Sequence, residues 1–525
     1  MFEEKVSQNL HIMSPPPHYL TSLSQKDLGI YEIGGIPFGI LAIKRFLPLD
    51  KKGRTDALRP LMLVLTFVCY ALFCAARRPI TVVQLKILKE CNASIFENSS
   101  IHTPSGNDTW CRGTVFQKDA QTFMQVLGSL FVGAYGVCMY GSGVIADYFN
   151  PRYYLTWGTL MGSFFMLVLG LGNLWKINSI EFFIMALILF GAAQSTAWPV
   201  VLSSATHWYG GKRSGFFFAL WNTHYYVGSL LGILLAGINV QERWGFAFFF
   251  PAVLVVLMGV VIFLFFVVHP ADIANLDRQD ISKEQEEETE LPPWLDTKRA
   301  IEFYEAFKVP GVLEFSGCMF FSRMISYFFL FWRPAFLLEF GVKTLAETAL
   351  YSLPYIIGGI FGGLTIGILK DIFQKNALIC ISFLLLSIPF IAIQVMLQFQ
   401  ANTLALDIFL QLIVGLLVEA PYILLSTSIS VDLGTHSIMR RGHRGLATIA
   451  AIIEGTGAVG ATVGPLVIVE LADKKNWINT VIIMTAMEVL AALCLARIAY
   501  KDYQAASMKM SLGDYWFSGV REFPG

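Results

Sequence analysis

The chain has 525 residues, of which 55% are hydrophobic and only 14% charged, and it carries no formal net charge. Soluble globular proteins usually carry about 25% charged residues, so the composition favours a protein embedded in a lipid bilayer. The zero net charge and the pI near 7.1 give no indication of nucleic acid or of an acidic partner.

The first 57 residues are mixed and polar, and we expect no cleavable signal peptide among them. Five basic residues between Lys44 and Arg54 stand just before the first apolar block. Basic residues next to a spanning helix favour the cytosolic side, so we predict a cytosolic N-terminal segment over 1–57. A solvated tail explains residues 1–30 equally well.

Twelve apolar stretches are long enough to cross a bilayer, since a spanning helix takes about 20 residues. They are 60–85, 122–146, 153–174, 179–205, 214–238 and 245–268, then 310–338, 347–369, 377–397, 404–431, 444–471 and 477–499. We predict an all-α membrane protein with twelve transmembrane helices in two six-helix halves. The boundaries are 58–268 and 310–500 for the halves, 269–309 for a charged cytosolic linker, and 501–525 for a cytosolic tail.

The two halves repeat weakly. In both, a Gly-x-x-x-Asp motif and a following basic residue close the second helix of the half: Gly143, Asp147 and Arg152 in one, Gly367, Asp371 and Lys375 in the other. Such repeats around a midplane site are typical of secondary transporters. We predict that Asp147, Arg152, Asp371 and Lys375 form a conformational hinge on the cytosolic side.

Residues 86–120 form a loop with three N-glycosylation sequons, at Asn92, Asn98 and Asn107. The same loop holds Cys91 and Cys111, the two cysteines clearly outside the apolar stretches. We predict a glycosylated luminal or extracellular loop closed by a disulfide. The alternative is two free thiols and unused acceptors. With this loop outside, both termini are predicted to be cytosolic.

Ionisable residues inside spanning helices are costly and suggest function. Arg77 and Arg78 follow an unbroken apolar run, and Tyr70 lies two turns before Arg77. Hydropathy alone would end the helix at these arginines. If Pro79 only kinks the helix, Arg77 lies deeper in the membrane.

Arg323 stands among apolar residues in the first helix of the second half. Two arginines facing each other across the halves would repel when empty, and a dianion would neutralise both. Guanidinium groups bind phosphate oxygens in pairs, so solutes that carry a phosphate are the expected ligands.

Other polar candidates in the apolar stretches are Asn222, His224, Glu454 and Glu419. A lone Asn or His in such a helix is more often a hydrogen-bond partner between helices than a ligand contact. Glu454 is interpreted as a counter-ion to an arginine, or else as a proton-coupling carboxylate. No Cys or His spacing indicates a metal, and no Gly-rich phosphate loop indicates ATP, so we expect no cofactor and no enzyme activity.

Several motifs together resemble the sugar-phosphate/phosphate exchangers of solute carrier family 37. They are CYALFCAARRPI at 69–80, AWP at 197–199, WNTH at 221–224, VDLGTH at 431–436 and EGTG at 454–457. The resemblance covers about 58–500 and is greatest to glucose-6-phosphate exchangers of the endoplasmic reticulum with a long glycosylated first loop. The wider group comprises the organophosphate:phosphate antiporters of the major facilitator superfamily.

The resemblance implies the major facilitator superfamily fold and a phosphate site at Arg77, with Tyr70 as a pocket tyrosine. Arg78, Trp198, Asn222, His224 and Glu454 lie in the shared motifs and join the predicted substrate-binding set. The bacterial pattern places its second basic residue at Ser326, whereas this chain has Arg323 one turn earlier. Either position could complete the site, so the sugar stays open.

The expected function is antiport of a sugar phosphate, with glucose-6-phosphate preferred, for inorganic phosphate by alternating access. One alternative is a proton-coupled organic-anion transporter that uses Glu454 or Glu419. Another is a membrane scaffold or sensor that keeps the fold without transport. The expected membrane is that of the endoplasmic reticulum, with another endomembrane or the plasma membrane as alternatives.

Overall fold

The structure, a computed structural model, is a helical bundle with almost no extended chain. It describes residues 37–46, 51–97, 116–177, 179–211, 214–240, 243–274, 299–332, 345–397, 404–435, 443–471 and 477–519. We number the spanning segments one to twelve in chain order and give their bounds below.

The first half contains spans one to six. Span one is Lys51–Glu97, span two Phe116–Tyr148 and span three Pro151–Leu174. Span four consists of Ile180–Gln194 and Ala197–Tyr209, span five of Gly215–Trp221 and His224–Asn239, and span six is Phe246–Phe265. A short helix, Phe38–Phe46, precedes span one.

The second half contains spans seven to twelve. Span seven is Val312–Tyr327 with a π-helical turn at Phe328–Trp332, span eight is Leu345–Phe373, and span nine is Asn376–Leu397. Span ten joins Leu404–Leu424, a π-helical turn at Leu425–Ile429 and Ser430–Gly434. Span eleven is Leu446–Leu471 and span twelve Trp477–Gly519.

The segment between the halves has short elements within its described part. Helices cover Pro270–Ala274 and Phe303–Ala306. Arg299–Ala300 pairs in parallel with His443–Arg444, which ties this segment to the start of span eleven.

Ten helices in the described residues are long and apolar enough to cross a membrane. The two spans outside this set are span five, whose helix breaks at Asn222–Thr223, and span seven, which changes to a π-helical turn at Phe328. The twelve-span fold is confirmed, and both of these spans carry polar candidates. Irregular turns inside helices often mark functional sites.

Helices run past several of the predicted ends. Span one begins at Lys51, before residue 58, and continues to Glu97, inside the predicted loop 86–120. Span twelve continues to Gly519, through most of the predicted tail. Helical propensity does not stop at the membrane surface, so hydropathy locates the apolar part of a helix and not its end.

Pro79 lies within span one and does not end it. Arg77 and Arg78 are therefore inside a continuous helix, which settles the choice between the two sequence readings. The apolar part of this helix extends over Thr55–Gln84.

Span six shows how the bundle meets lipid. Phe250, Val253 and Leu257 form a stripe along one side and are more than half exposed. Ala252, Val255 and other residues on the opposite side are buried against the rest of the half. A helix with one apolar face exposed and one buried fits the periphery of a membrane bundle.

Glycines allow the first helix of each half to pack closely against the fifth. A Cβ atom on Gly228 of span five would overlap the backbone of Ala71 in span one. At the equivalent place in the second half, a Cβ on Gly460 of span eleven would overlap the backbone of Phe320 in span seven. Small residues let membrane helices approach closely. Because the two contacts occupy equivalent positions, the weak sequence repeat corresponds to a repeat in the packing of the two halves.

Candidate functional site

Arg77 is the centre of a polar cluster in the first half. Its guanidinium lies 4.4 Å from the ring centre of Tyr135 and 5.7 Å from that of Tyr70. Its Nε donates a hydrogen bond to Gln194 of span four, 3.1 Å away. Its Nη2 is buried and has no hydrogen-bond partner among the described residues. A buried unpaired guanidinium nitrogen is costly in a membrane, so this atom is available to an anion.

Aromatic rings form one wall beside Arg77. Tyr70 lies 4.9 Å from Trp198 and 4.8 Å from His224, measured between ring centres. Trp221 packs edge-on against His224 at 4.5 Å. Both ring nitrogens of His224 lack a hydrogen-bond partner within the described part of the chain. The predicted residues Tyr70, Arg77, Trp198 and His224 thus share one site, although spans one, four and five supply them.

Arg323 is the centre of the corresponding cluster in the second half. Its Nη2 lies 3.3 Å from the Glu454 carboxylate of span eleven, and both side chains are almost fully buried. Its guanidinium stacks 3.5 Å from the ring centre of Tyr422. A Cβ on Gly457 would lie 3.1 Å from Arg323 Cγ, so the glycine makes room for the arginine. This contact explains one glycine of the EGTG motif.

The ion pair leaves part of Arg323 unused. Its Nε and Nη1 have no hydrogen-bond partner among the described residues, and neither has Glu454 Oε2. Of the two sequence readings for Glu454, the geometry favours the counter-ion. A single carboxylate contact at 3.3 Å leaves the other guanidinium nitrogens free to bind oxygen atoms of a ligand.

Arg78 differs from Arg77 in having side-chain partners. Its Nη2 donates hydrogen bonds to Ser229, at 2.8 Å, and to Tyr225, at 3.5 Å. The Tyr225 ring lies 5.8 Å from the guanidinium of Arg78 and also 5.8 Å from that of Arg323. Tyr225 therefore connects the arginines of the two halves, and Arg78 is better placed to position Tyr225 than to bind a ligand itself.

The unpaired polar atoms of the predicted site residues and of Gln194 are mostly hydrogen-bond donors. Within the described residues they are Arg77 Nη2, Gln194 Nε2, Trp198 Nε1, Asn222 Nδ2, the two His224 nitrogens, Arg323 Nε and Nη1, and the acceptor Glu454 Oε2. A ligand that satisfies them needs many acceptor oxygens and negative charge. A phosphate group has both properties.

Sequence reasoning missed several members of this site. Gln194, Tyr135, Tyr225 and Tyr422 contact the two arginines from other spans. Gln194 could have been noticed as an amide inside an apolar span. The tyrosines give no signal, because tyrosine is common in membrane helices and only packing places these three beside a charge.

The predicted hinge residues lie on the face where span one begins, which we call the proximal face. Asp147 accepts hydrogen bonds from the backbone N–H and the hydroxyl of Thr448, at 2.8 and 2.6 Å. Asp371 accepts hydrogen bonds from the N–H groups of Gly215 and Phe216, at 2.8 and 2.9 Å. Each aspartate thus caps the N-terminus of a helix in the opposite half. The sequence predicted the residues but not these partners.

The two basic residues of the hinge motif are placed differently. Arg152 is buried, and its guanidinium donates to the Tyr153 hydroxyl at 2.9 Å. Lys375 is half-buried, and its positive charge attracts the carboxylate of Asp502 in span twelve.

Asp272 lies near Arg152. Burial raises the pKa of Asp272 to about 6, although the His269 N–H and the Arg152 charge act in the opposite direction.

Some predictions fall where the structure gives no side chains. Asn98, Asn107 and Cys111 lie outside the described residues, and the side chains of Cys91 and Asn92 are also outside the description. The glycosylation and disulfide predictions therefore remain predictions. Among the described residues, no group of three His, Cys, Asp or Glu side chains could hold a metal ion.

Comparison with known proteins gives consistent relatives. The sequence profile of the Major Facilitator Superfamily matches residues 115–438. The glucose-6-phosphate exchanger SLC37A2 of Danio rerio is 34% identical over 84% of this chain and 92% of its own length. The Homo sapiens SLC37A2 is 34% identical over 89% and 97%, and the Homo sapiens SLC37A1 is 33% identical over 89% and 96%.

Solved structures agree on the fold. The proton:xylose symporter XylE superposes with a TM-score of 0.59 at 13% identity, covering 85% of this chain and 96% of its own. The human organic anion transporter MFSD10 superposes with a TM-score of 0.56 at 14% identity, covering 83% and 99%. At such low identity these likenesses concern the fold alone.

Proposed function

Because this chain belongs to solute carrier family 37 within the major facilitator superfamily, we propose that it exchanges a sugar phosphate for inorganic phosphate by alternating access. One observation carries the proposal: Arg77 and Arg323, one from each half, both keep buried guanidinium nitrogens without hydrogen-bond partners among the described residues. The relatives are named glucose-6-phosphate exchangers, so glucose-6-phosphate is the preferred substrate.

Phosphate chemistry fits the donors around the two arginines. A guanidinium presents several N–H groups in a plane and can bind two phosphate oxygens at once. Trp198, Asn222 and His224 can supply further hydrogen-bond donors or a polar edge to the rest of the ligand. Tyr70 closes the site beside Arg77 with its ring.

Exchange, rather than net uptake, follows from the charges. The empty carrier would have to close around the unpaired Arg77 in a low-dielectric interior, which costs several kcal/mol or more. Either phosphate species would neutralise that charge, so only loaded forms would change orientation easily. Glu454 reduces the problem at Arg323, with which it pairs, whereas Arg77 donates a hydrogen bond to the uncharged amide of Gln194.

Alternating access needs a contact that breaks when the halves rock. We assign this role to Asp147 and Asp371, because each holds a helix of the opposite half on the proximal face. Opening of this face would separate each carboxylate from its helix N-terminus. The two caps are equivalent by the sequence repeat, so they would open together.

Sidedness follows from the first loop. Asn92 lies near the end of span one, and Asn98 and Asn107 come after it in the sequence, before span two; Asp147 lies at the far end of span two. Because N-glycans are added in the lumen, we propose that the proximal face is cytosolic, with both termini there. The membrane of the endoplasmic reticulum is the proposed site of action.

The test is transport into proteoliposomes that contain the purified full chain. Vesicles preloaded with inorganic phosphate should take up labelled glucose-6-phosphate, and vesicles without phosphate should not. Arg77→Ala should abolish uptake. Arg497→Ala, which removes a largely exposed arginine paired with Glu314, is the matched control and should retain it. Equal uptake without internal phosphate, or uptake driven by a pH gradient alone, would refute phosphate exchange.

A further inference from the structure

A second buried polar cluster lies around Glu419 of span ten. The side chain is fully buried, and its carboxyl group accepts a hydrogen bond from the Tyr355 hydroxyl at 2.9 Å and a short one from the Ser326 hydroxyl. Its other oxygen accepts a hydrogen bond from the Tyr226 hydroxyl at 3.2 Å. A carboxyl group has two acceptor oxygens, and both are used here by hydroxyl donors from three other spans.

All three partners of Glu419 are uncharged hydroxyl groups. Among the described residues it forms no ion pair, in contrast to Glu454, which pairs with Arg323. A charged carboxylate inside a membrane bundle is costly and is by default a functional candidate. The phosphate site already has its counter-ion in Glu454, so Glu419 needs another purpose.

The cluster adjoins the proposed phosphate site at Arg77 and Arg323. Ser326 follows Arg323 by one helical turn in span seven, and Glu419 precedes Tyr422, which stacks on Arg323, by one turn in span ten. Tyr226 is the neighbour of Tyr225, whose ring lies between the arginines of the two halves. A ligand whose phosphate lies at the arginines can therefore extend toward Glu419.

We propose that Glu419 is the sugar-recognition residue of the site: it accepts hydrogen bonds from hydroxyl groups of the organic phosphate, in place of its present hydroxyl partners. This inference rests on the proposed exchange function. A carboxylate repels the phosphoryl end and attracts hydroxyl donors, so it fixes the orientation of the ester. Ser326, Tyr226 and Tyr355 hold the carboxylate satisfied when no sugar is present.

Glu419 should matter for one of the two exchanged substrates and not for the other. Inorganic phosphate carries no sugar hydroxyls and needs only the arginines, whereas a sugar phosphate uses both clusters. Replacement of the Glu419 carboxyl group by an amide should therefore impair one substrate and not the other. A role as a mere link between the halves, through Tyr226, would impair both.

The test compares Glu419→Gln with wild type in two assays on the same proteoliposomes. Phosphate-for-phosphate exchange should be unchanged, which also reports that the variant is folded. The KM for glucose-6-phosphate should rise about tenfold or more, the usual effect of losing a hydrogen bond to a charged group. Glu488→Gln is the matched control, since Glu488 is a buried carboxyl group of the same half, beside Ser387, in span twelve, which contributes no residue to this cluster.

Analogues that lack single hydroxyl groups identify the contact. An analogue that lacks the hydroxyl bound by Glu419 should compete less well than glucose-6-phosphate for wild type, and equally well for Glu419→Gln. Equal loss of both exchanges in Glu419→Gln, or unchanged sugar-phosphate exchange, would overturn this inference alone. A wild-type protein that exchanges phosphate but no hydroxylated phosphate ester would overturn the proposed function as well.

Discussion

At the scale of single residues, the distribution of unpaired polar atoms separates ligand contacts from structural ones. Arg78 and Arg77 are adjacent, yet Arg78 donates to Ser229 and Tyr225, whereas one Arg77 nitrogen has no partner among the described residues. Since buried polar groups are nearly always paired, the unpaired nitrogen supports the proposed role of Arg77 in ligand binding. The same reasoning applies to Arg323 and His224.

Loss of Glu454 should make the thermal stability of the protein depend more strongly on added phosphate. Glu454→Gln leaves Arg323 without its counter-ion, and removal of one partner of a buried pair costs about 3–5 kcal/mol. We expect a lower Tm without ligand and a larger rise in Tm on addition of phosphate than in wild type. Thermal melts in detergent with and without phosphate measure both. Glu488→Gln should show no enlarged phosphate effect, and an equal phosphate-induced shift in Glu454→Gln and wild type would contradict the counter-ion role.

Asp272, outside the spanning segments, should make stability depend on pH. Burial raises its pKa from 3.8 to about 6, so the folded state keeps a proton that the unfolded state loses in this range. The stability it contributes is complete below about pH 4 and is lost as the pH rises through about 6. Asp272→Asn should therefore raise stability above about pH 6, by at most about 3 kcal/mol, and have little effect below about pH 4.

Thermal melts across this pH range test the effect of Asp272. The exposed Asp56 provides the control, because Asp56→Asn makes the same chemical change at a position that is not buried. An unaltered pH profile in Asp272→Asn would show that another group is responsible.

At the scale of elements, interrupted helices and glycine contacts shape the site. The break in span five at Asn222–Thr223 lies directly between Trp221 and His224, which pack against each other. Spans two and eleven approach so closely that a Cβ on Gly136 would lie 3.0 Å from the backbone nitrogen of Val459. Contacts this close between the halves leave little room for larger side chains, so closure depends on small residues.

A side chain at Gly143 should prevent closure of the proximal face. A Cβ there would lie 2.8 Å from the Ala447 carbonyl oxygen and would overlap Ala451. Overpacking costs about 1–3 kcal/mol, which corresponds to roughly a five- to 150-fold change in a conformational equilibrium. Gly143→Val should lower the exchange rate by a factor in this range, measured in phosphate-loaded proteoliposomes.

Gly141 offers the control on the same helix, because nothing lies within 4 Å of a Cβ placed there. Gly141→Val introduces the same β-branched residue into span two, so it should cost the same in helix propensity but leave exchange nearly unchanged. Equal loss of exchange in both variants would attribute the effect to the helix itself and not to the contact between the halves.

At the scale of the whole molecule, the two halves are joined by two contacts at equivalent positions of the sequence repeat. Asp147 caps span eleven and Asp371 caps span five, so each half holds the fifth helix of the other. Two equivalent contacts on one face give the molecule a defined closed state there. The proposed alternating access requires that this closed state exchange with one in which the two contacts are broken.

Glycosylation should report the orientation of the molecule in the membrane. The triple variant Asn92→Gln, Asn98→Gln and Asn107→Gln should lose the mass that a glycan-removing enzyme takes from the wild-type chain expressed in eukaryotic cells. Each single variant should lose a part of it. A wild-type chain whose mass does not change on enzyme treatment would contradict a luminal first loop and the cytosolic assignment of the proximal face.

The sequence by itself determined the twelve spans, the two halves and the family resemblance, because hydropathy, repeats and motifs are properties of neighbouring residues. It also singled out Arg77 and Arg323, since a charge in a membrane is costly wherever it points. Tertiary structure alone decided what surrounds them: Gln194 meets Arg77 from 117 residues away, and Glu454 meets Arg323 from 131 residues away. The same holds for Glu419 and its three hydroxyl partners, because only the packing of the helices brings those tyrosine and serine side chains within hydrogen-bond distance of the carboxyl group.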